Sequence, residues 1–338
     1  AEMMEGQAGA FISLLQNEGK KTLADAIAEL REAVDFCRYY AAEGEKLFAE
    51  TGQILTGPTG EKNSLRHRSR GVFVCISPWN FPLAIFIGQV TAALMAGNSV
   101  IAKPAEQTPL VAALAVKILQ DAGVPYHVLQ MVVGDSVIGA TLVQHKDVAG
   151  VAFTGSTHVA RLINRALAAK DGPIVPLIAE TGGQNAMLVD SSALPEQVVD
   201  DVILSAFGSA GQRCSALRVL YIQNDIADRF MELLKGAMAL LRVGDPRAMA
   251  TDVGPVIDTK ALAALEAHKV YLDSFATKIA EAPLRMDLTG TYFAPVAYEI
   301  DSITRLKGEV FGPILHVIRY AAKDTDMDEL NNPLEIID

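Results

Sequence analysis

A nonapeptide, SAGQRCSAL at 209–217, sets one thiol between an arginine and a serine, directly behind a Gly-Gln turn signal. Cys214 is therefore either a reagent, its thiolate favoured by a positive surrounding, or a small hydrophobe entering a core. Asn80, in SPWNFP at 77–82, lies between an apolar run and a helix-like one. That spacing puts its amide at the carboxyl edge of a sheet, where open α/β folds hold ligands. A neutral N–H donor there suits a developing oxyanion; an asparagine capping its own turn is the competing reading. Glu180 closes the run LIAE before Gly182-Gly183, either as a general base with a raised pKa or as a salt-bridged strand end. FTGST at 153–157 supplies Gly155 in a turn and the Ser156 hydroxyl at a helix start, where free N–H groups and the helix dipole favour a phosphate. AKPAE at 102–106 offers Lys103 and Glu106 after another strand, a pair suited to ribose hydroxyls.

These groups need a frame, and hydrophobic periodicity supplies it. Leu23, Ile27, Leu30, Val34 and Cys37 recur at steps of four and three, which predicts one buried helical stripe and puts Cys37 in a core. A loop or hairpin is expected over 51–62. The run GVFVCISP reads as a buried strand with Cys75 inside it. Next come a helix over 82–96 ended by Gly97, the strand SVIAK, a helix over 108–122 capped by Thr108 and stopped by Gly123, and a strand near VLQMVV. Strand GVAFT, a helix over 158–169 and strand IVPLIAE continue the alternation, which predicts a parallel sheet wrapped by helices. A second unit then runs through strand NAMLVD, a helix over 195–209, Cys214, strand LRVLYI, a helix over 225–241, and strands near 292–299 and 313–319.

The chain of 338 residues exceeds what one core usually supports, so two domains are expected, 1–181 and 182–338. A composition 50% hydrophobic and 20% charged fits a globular enzyme. The net charge of -11 argues against nucleic acid, since binding phosphates requires a concentrated positive field. The one basic run, LRHRSRG at 65–71, reads as a solvated hairpin or an interface. No apolar stretch is long enough to span a membrane and the first residues lack a secretory signal, so a cytoplasmic chain is expected. Cys37, Cys75 and Cys214 have no paired spacing, and the six histidines (67, 127, 145, 158, 268, 316) show no H-x-x-x-H pattern; no metal site is expected.

Taken together, SPWNFP, KPAEQTP, FTGST, ETGG, GQRCSALR and EVFGP resemble, in order and spacing, signatures of the aldehyde dehydrogenase superfamily, over most of the chain. RGVFVCISPWNFPLAIF, LIAETGGQNAM, VDSSALPEQVVDDV and SAGQRCSALRVLY are most similar to its L-glutamate γ-semialdehyde (pyrroline-5-carboxylate) dehydrogenase branch, the dehydrogenase domain of bifunctional proline utilization A. The resemblance implies a Rossmann-type NAD-binding domain at 1–181 and an α/β catalytic domain at 182–338. It implies NAD-dependent oxidation of glutamate semialdehyde to glutamate, the second step of proline catabolism, with Cys214 as nucleophile, Asn80 as oxyanion donor and Glu180 as base. By the same likeness Ser77, Pro78, Trp79, Lys103, Glu106, Gly155, Ser156, Glu309 and Phe311 line the cofactor, and Ser215, Arg213 and Phe81 the substrate. Glu106 favours NAD, because a carboxylate repels a 2′-phosphate.

The family pattern continues beyond EVFGP with a glycine-rich loop that anchors the substrate carboxylate and a strand that completes a neighbouring subunit. The resemblance thus implies a homo-oligomer, but the sequence in hand does not include that oligomerisation segment. Gly208 stands where related sequences usually have aspartate. Two other readings stay open: a dehydrogenase for another small aldehyde, and a catalytically impaired scaffold that still binds nucleotide.

Overall fold

The computed structural model describes residues 1–49 and 52–321, so the carboxyl end of the second expected domain, 322–338, lies outside the described residues. The chain divides into two compact units, one of Ala1–Gly19 with Ala26–Thr181 and one of Lys20–Asp25 with the residues from Gly182 onward.

The first unit carries α1 (Glu2–Gly6), α2 (Ala8–Asn17), most of α3 (Leu23–Leu47), β1 (Gln53–Thr56), β2 (Lys62–Leu65), β3 (Val72–Ile76), α4 (Ala84–Met95), β4 (Ser99–Lys103), α5 (Pro109–Asp121), β5 (Leu129–Met131), α6 (Ser136–Gln144), β6 (Val148–Gly155), α7 (Thr157–Ala168) and β7 (Leu177–Thr181). Five strands form a parallel sheet in the order β5-β4-β3-β6-β7. Successive side chains of β3 alternate between two cores: Phe73 and Cys75 join one cluster with Phe86, Val100 and Leu129, and Val74 joins the other with Val151, Ile163 and Leu167. A strand buried on both faces must read as a continuous apolar run, which is why VFVCI shows no polar alternation. The chain passes from β3 outward through β4 and β5, then returns to lay β6 on the other side of β3. The β3/β6 junction is therefore the switch point at which doubly wound sheets open a crevice.

The second unit carries β8 (Ala186–Val189), α8 (Pro195–Phe207), a 3-10 turn at Gly208–Gly211, β9 (Val219–Gln223), α9 (Asn224–Ala239), α10 (Thr259–Asp273), β10 (Thr277–Glu281), β11 (Val296–Glu299) and β12 (Ile314–Tyr320). Its sheet runs β10-β11-β12-β9-β8, parallel except for the β10 edge. Phe207, Phe230, Leu234, Leu220 and Tyr298 lie fully buried in its core.

The expected α/β class stands, and several details differ. On α3 the buried residues are Ala26, Glu29, Leu30, Ala33, Val34 and Gly44, whereas Ile27 is exposed and Cys37 only half-buried. The contact face is rotated toward the alanines, whose small side chains allow close approach. Thr108 occupies the N-cap position of α5 but makes no cap bond; its buried hydroxyl has no hydrogen-bond partner among the described residues. The Glu18 carboxylate does that work, accepting from Leu110 N and Val111 N at 2.8 Å each. Of the basic run 65–71, Leu65 ends the β1–β2 hairpin and the following residues are irregular and exposed. The strand ending at Glu180 is a sheet edge with three exposed residues, not a buried strand. Among the described residues no helix is long and apolar enough to cross a membrane.

Candidate functional site

In the first unit the candidate residues collect at the carboxyl ends of parallel strands. Ser77, Pro78, Trp79 and Asn80 follow β3; Lys103 ends β4 with Glu106 just beyond; Gly155 ends β6 and Ser156 follows; Glu180 lies next to last on β7. Gln89 of α4 ties two of these ends together. Its Oε1 accepts from Ser77 Oγ at 2.9 Å and its Nε2 donates to Thr154 Oγ1 at 2.9 Å, across the β3/β6 junction.

Asn80 is buried, and among the described residues its amide has no hydrogen-bond partner, so it does not cap its turn. The capping group is Glu29, from α3, which accepts from Leu83 N at 2.8 Å and Ala84 N at 3.3 Å and so satisfies the start of α4. A carboxylate from another helix thus frees the asparagine donor. Glu180 is exposed and forms no ion pair among the described residues. Ser156 caps α7 by accepting from Val159 N at 3.3 Å, and among the described residues the preceding amides of the first turn make no backbone hydrogen bond, which suits an anion. Lys103 is 7% exposed; burial lowers its pKa, opposed by the charges of Glu106 and Asp135.

In the second unit the candidates sit at the opposite edge, before the amino ends of strands. Gly182 and Gly183 precede β8, Cys214 and Ser215 precede β9, and Glu309 and Phe311 precede β12. Two non-glycine residues in left-handed backbone, Ser209 (φ 55°) and Ala210 (φ 54°), lead from the end of α8 into the cysteine turn. Such conformations cost energy and persist only where surrounding contacts impose them. Gly211 (φ 64°) follows because a Cβ there would sit 2.3 Å from Gly312 O.

The turn itself closes through Ala216 N to Arg213 O at 3.1 Å. Asn185 donates from Nδ2 to Cys214 O at 2.7 Å and to Ala216 O at 2.9 Å. Cys214 and Ser215 are exposed, whereas Cys75 is fully buried. Arg213 pairs with Asp25, while its buried Nε has no partner among the described residues. A Cβ at Gly208 would lie 3.6 Å from that guanidinium, so Asp25 supplies the countercharge beside a position left without a side chain.

Arg218 was not anticipated. It is 1% exposed, its Nε and Nη2 donate to Glu309 Oε1 at 3.3 and 3.0 Å, and its guanidinium lies 5.2 Å from the Phe311 ring centroid. Burial pushes the Glu309 carboxyl up while Arg218 pulls it down. The other oxygen, Oε2, faces Gly182, where a Cβ would come within 2.0 Å. Asn185, Gln89 and Glu29 were missed as well. Arg218 left one signal: a charge heading the apolar strand VLYIQ.

The sequence profile of the aldehyde dehydrogenase family matches residues 1–334. Bifunctional protein PutA of Escherichia coli (strain K12) is 51% identical over 330 residues, 95% of this chain and 24% of that protein. The 1-pyrroline-5-carboxylate dehydrogenase of Anoxybacillus flavithermus is 35% identical over 322 residues, 94% of this chain and 62% of its own length. Among solved structures, a variant of Bradyrhizobium japonicum proline utilization A superposes with a TM-score of 0.94 at 58% identity, covering 99% of this chain and 34% of that one. A Thermus thermophilus 1-pyrroline-5-carboxylate dehydrogenase variant gives 0.89 at 29% identity, covering 95% and 63%. The chain thus spans about a quarter of the PutA proteins and less than two-thirds of the 1-pyrroline-5-carboxylate dehydrogenases. These likenesses bear out the fold and family expected from the sequence.

Proposed function

Because the chain belongs to the aldehyde dehydrogenase family, we propose that it oxidises L-glutamate γ-semialdehyde to L-glutamate with NAD as hydride acceptor. The family uses a nicotinamide dinucleotide, and the names of the relatives support the substrate. The observation that carries the chemical part is the contrast among the thiols: Cys214 alone is exposed, on a turn whose carbonyls are held by Asn185 and Arg218.

In this reading the first unit is the nucleotide domain and the second the catalytic one. Ser156 and the first turn of α7 would receive the pyrophosphate, Lys103 and Glu106 the adenosine ribose, and Glu309 the nicotinamide ribose, with Ser77, Pro78, Trp79, Gly155 and Phe311 lining the pocket. When bound, the nucleotide supplies a hydride acceptor. The Cys214 thiolate attacks the aldehyde carbon and the carbonyl oxygen takes the negative charge. The Asn80 amide and the Cys214 N–H, neither of which bonds another group among the described residues, donate to that oxyanion. Loss of hydride leaves a thioester on Cys214. Glu180 takes a proton from water, the resulting hydroxide attacks the thioester, and Cys214 leaves as thiolate. Ser215, Arg213 and Phe81 would contact the rest of the substrate.

The test is NADH formation by this chain with glutamate semialdehyde beside an uncharged aldehyde of similar length. Turnover selective for the semialdehyde, abolished in Cys214→Ala, is expected. Folded protein that binds NAD but forms no NADH with either aldehyde would overturn the reading.

A further inference from the structure

We infer that Arg218 is a positioning residue that couples the Cys214 turn to the Glu309 loop, so that what binds at Glu309 is felt at the nucleophile. The nucleotide arm of the inference rests on the function proposed above; the coupling itself rests on geometry alone. A guanidinium has five N–H donors, and all five are used here. Nη1 donates to Gly211 O at 2.7 Å and Gly312 O at 3.0 Å, Nη2 to Arg213 O at 3.1 Å and Glu309 Oε1 at 3.0 Å, and Nε to Glu309 Oε1 at 3.3 Å. Gly211 and Arg213 precede Cys214 by three residues and one; Glu309 and Gly312 bracket Phe311.

Burying a cation this deeply is unfavourable unless every donor is met, and an apolar residue would fill the volume without that penalty. What an apolar residue cannot do is hold two loops from distant parts of the chain on one rigid plane. The main chain of Arg218 cannot absorb a shift, because its carbonyl accepts from His316 N at 3.0 Å and His316 Nδ1 at 2.9 Å. His316 is fixed in turn by His268, the two Nε2 atoms being 2.9 Å apart. With its base anchored, the guanidinium plane transmits displacement of one loop to the other.

The experiment measures alkylation of Cys214 by iodoacetamide, peptide by peptide, in the parent chain, Glu309→Gln, Arg218→Lys and the double variant. Without nucleotide, each single variant should change the Cys214 rate about threefold or more in the same direction, and the double variant no further, as expected of two groups in one linkage. Buried Cys75, read in the same samples, should not change; a parallel rise there would mean general loosening and overturn the inference. So would a Glu309→Gln rate equal to the parent's, or effects that multiply. Should Arg218→Lys fail to fold, Glu309→Gln decides alone, since it keeps the shape of the side chain. With NAD, the parent's rate should shift on the order of tenfold and that of Arg218→Lys should not. Silence of NAD in the parent would defeat the nucleotide reading and leave the nucleotide-free arm to decide the coupling.

Discussion

At the scale of single residues, the three thiols differ in environment far more than in chemistry. Burial pushes the Cys75 thiol up to about 12 from an ordinary 9.0, roughly a thousandfold less thiolate near neutral pH, and burial also raises Cys37. Iodoacetamide should therefore label Cys214 first and leave Cys75 untouched until the protein is denatured; early labelling of Cys75 would overturn the assignment. Asn80 offers a second separation. Its amide bonds nothing among the described residues, so Asn80→Ala should change the melting temperature little, yet lower kcat by roughly 10² to 10³. A loss of stability with unchanged kcat would make Asn80 structural. Nucleotide choice is a third: the Glu106 charge close to Lys103 should weaken NADP relative to NAD about tenfold, or about 1.4 kcal/mol. Titrating the fluorescence of Trp79, the only tryptophan, measures both affinities, and equal values would refute the argument. The residues around Cys214 left it open between reagent and core thiol, and only the resemblance of GQRCSALR favoured the reagent; its exposure is what the structure adds. Arg218 was not legible, because its acceptors lie up to 94 residues away and no local pattern brings them together.

At the scale of elements, the five strands of the first sheet were readable, whereas the antiparallel edge strand β10 of the second sheet and the joints were not. VFVCI, SVIAK and VAGVAFTG are apolar because both faces of the first sheet are covered, and that burial imprints itself on the sequence. Helix starts carry no such imprint when the cap comes from elsewhere. Glu18 and Glu29 look like surface carboxylates of their own helices, yet they satisfy the first turns of α5 and α4. Removing them leaves buried or dipole-facing N–H groups without an acceptor. Glu29→Ala, at a position 1% exposed, should cost about 2–3 kcal/mol in urea unfolding, and Glu18→Ala about 1 kcal/mol. A Glu29→Ala protein as stable as its parent would show that the α4 start finds another partner. The displaced stripe of α3 teaches a related point: periodicity identifies a face to within one position, and small residues then decide which neighbouring row makes contact.

At the scale of the molecule, the two sheets present their candidate residues at opposite polarity, the first at carboxyl ends of strands and the second at amino ends. Stability should carry the signature of the second unit's histidine pair. His316 is held down to about 4 from an ordinary 6.5, chiefly by burial, and burial lowers His268 too. The unfolded chain then binds protons that the folded one refuses, so this contribution is complete above about pH 6.5 and drains away as pH falls through about 4. At about 1.4 kcal/mol per unit, His316 accounts for about 3 kcal/mol. Urea midpoints taken from about pH 7 down to about pH 4 should fall, and His316→Asn, which keeps a donor toward the Arg218 carbonyl, should flatten the slope; an unchanged slope would locate the acid sensitivity elsewhere. Gly182 carries a different consequence. A Cβ there would reach within 2.0 Å of the Glu309 carboxylate, and that carboxylate cannot retreat without releasing two of the Arg218 donors. Positions 182, 218 and 309 are therefore linked: a larger residue at 182 has to push aside the carboxylate end of Glu309, and with it the two hydrogen bonds from Arg218, so a change at one of the three is felt at the other two.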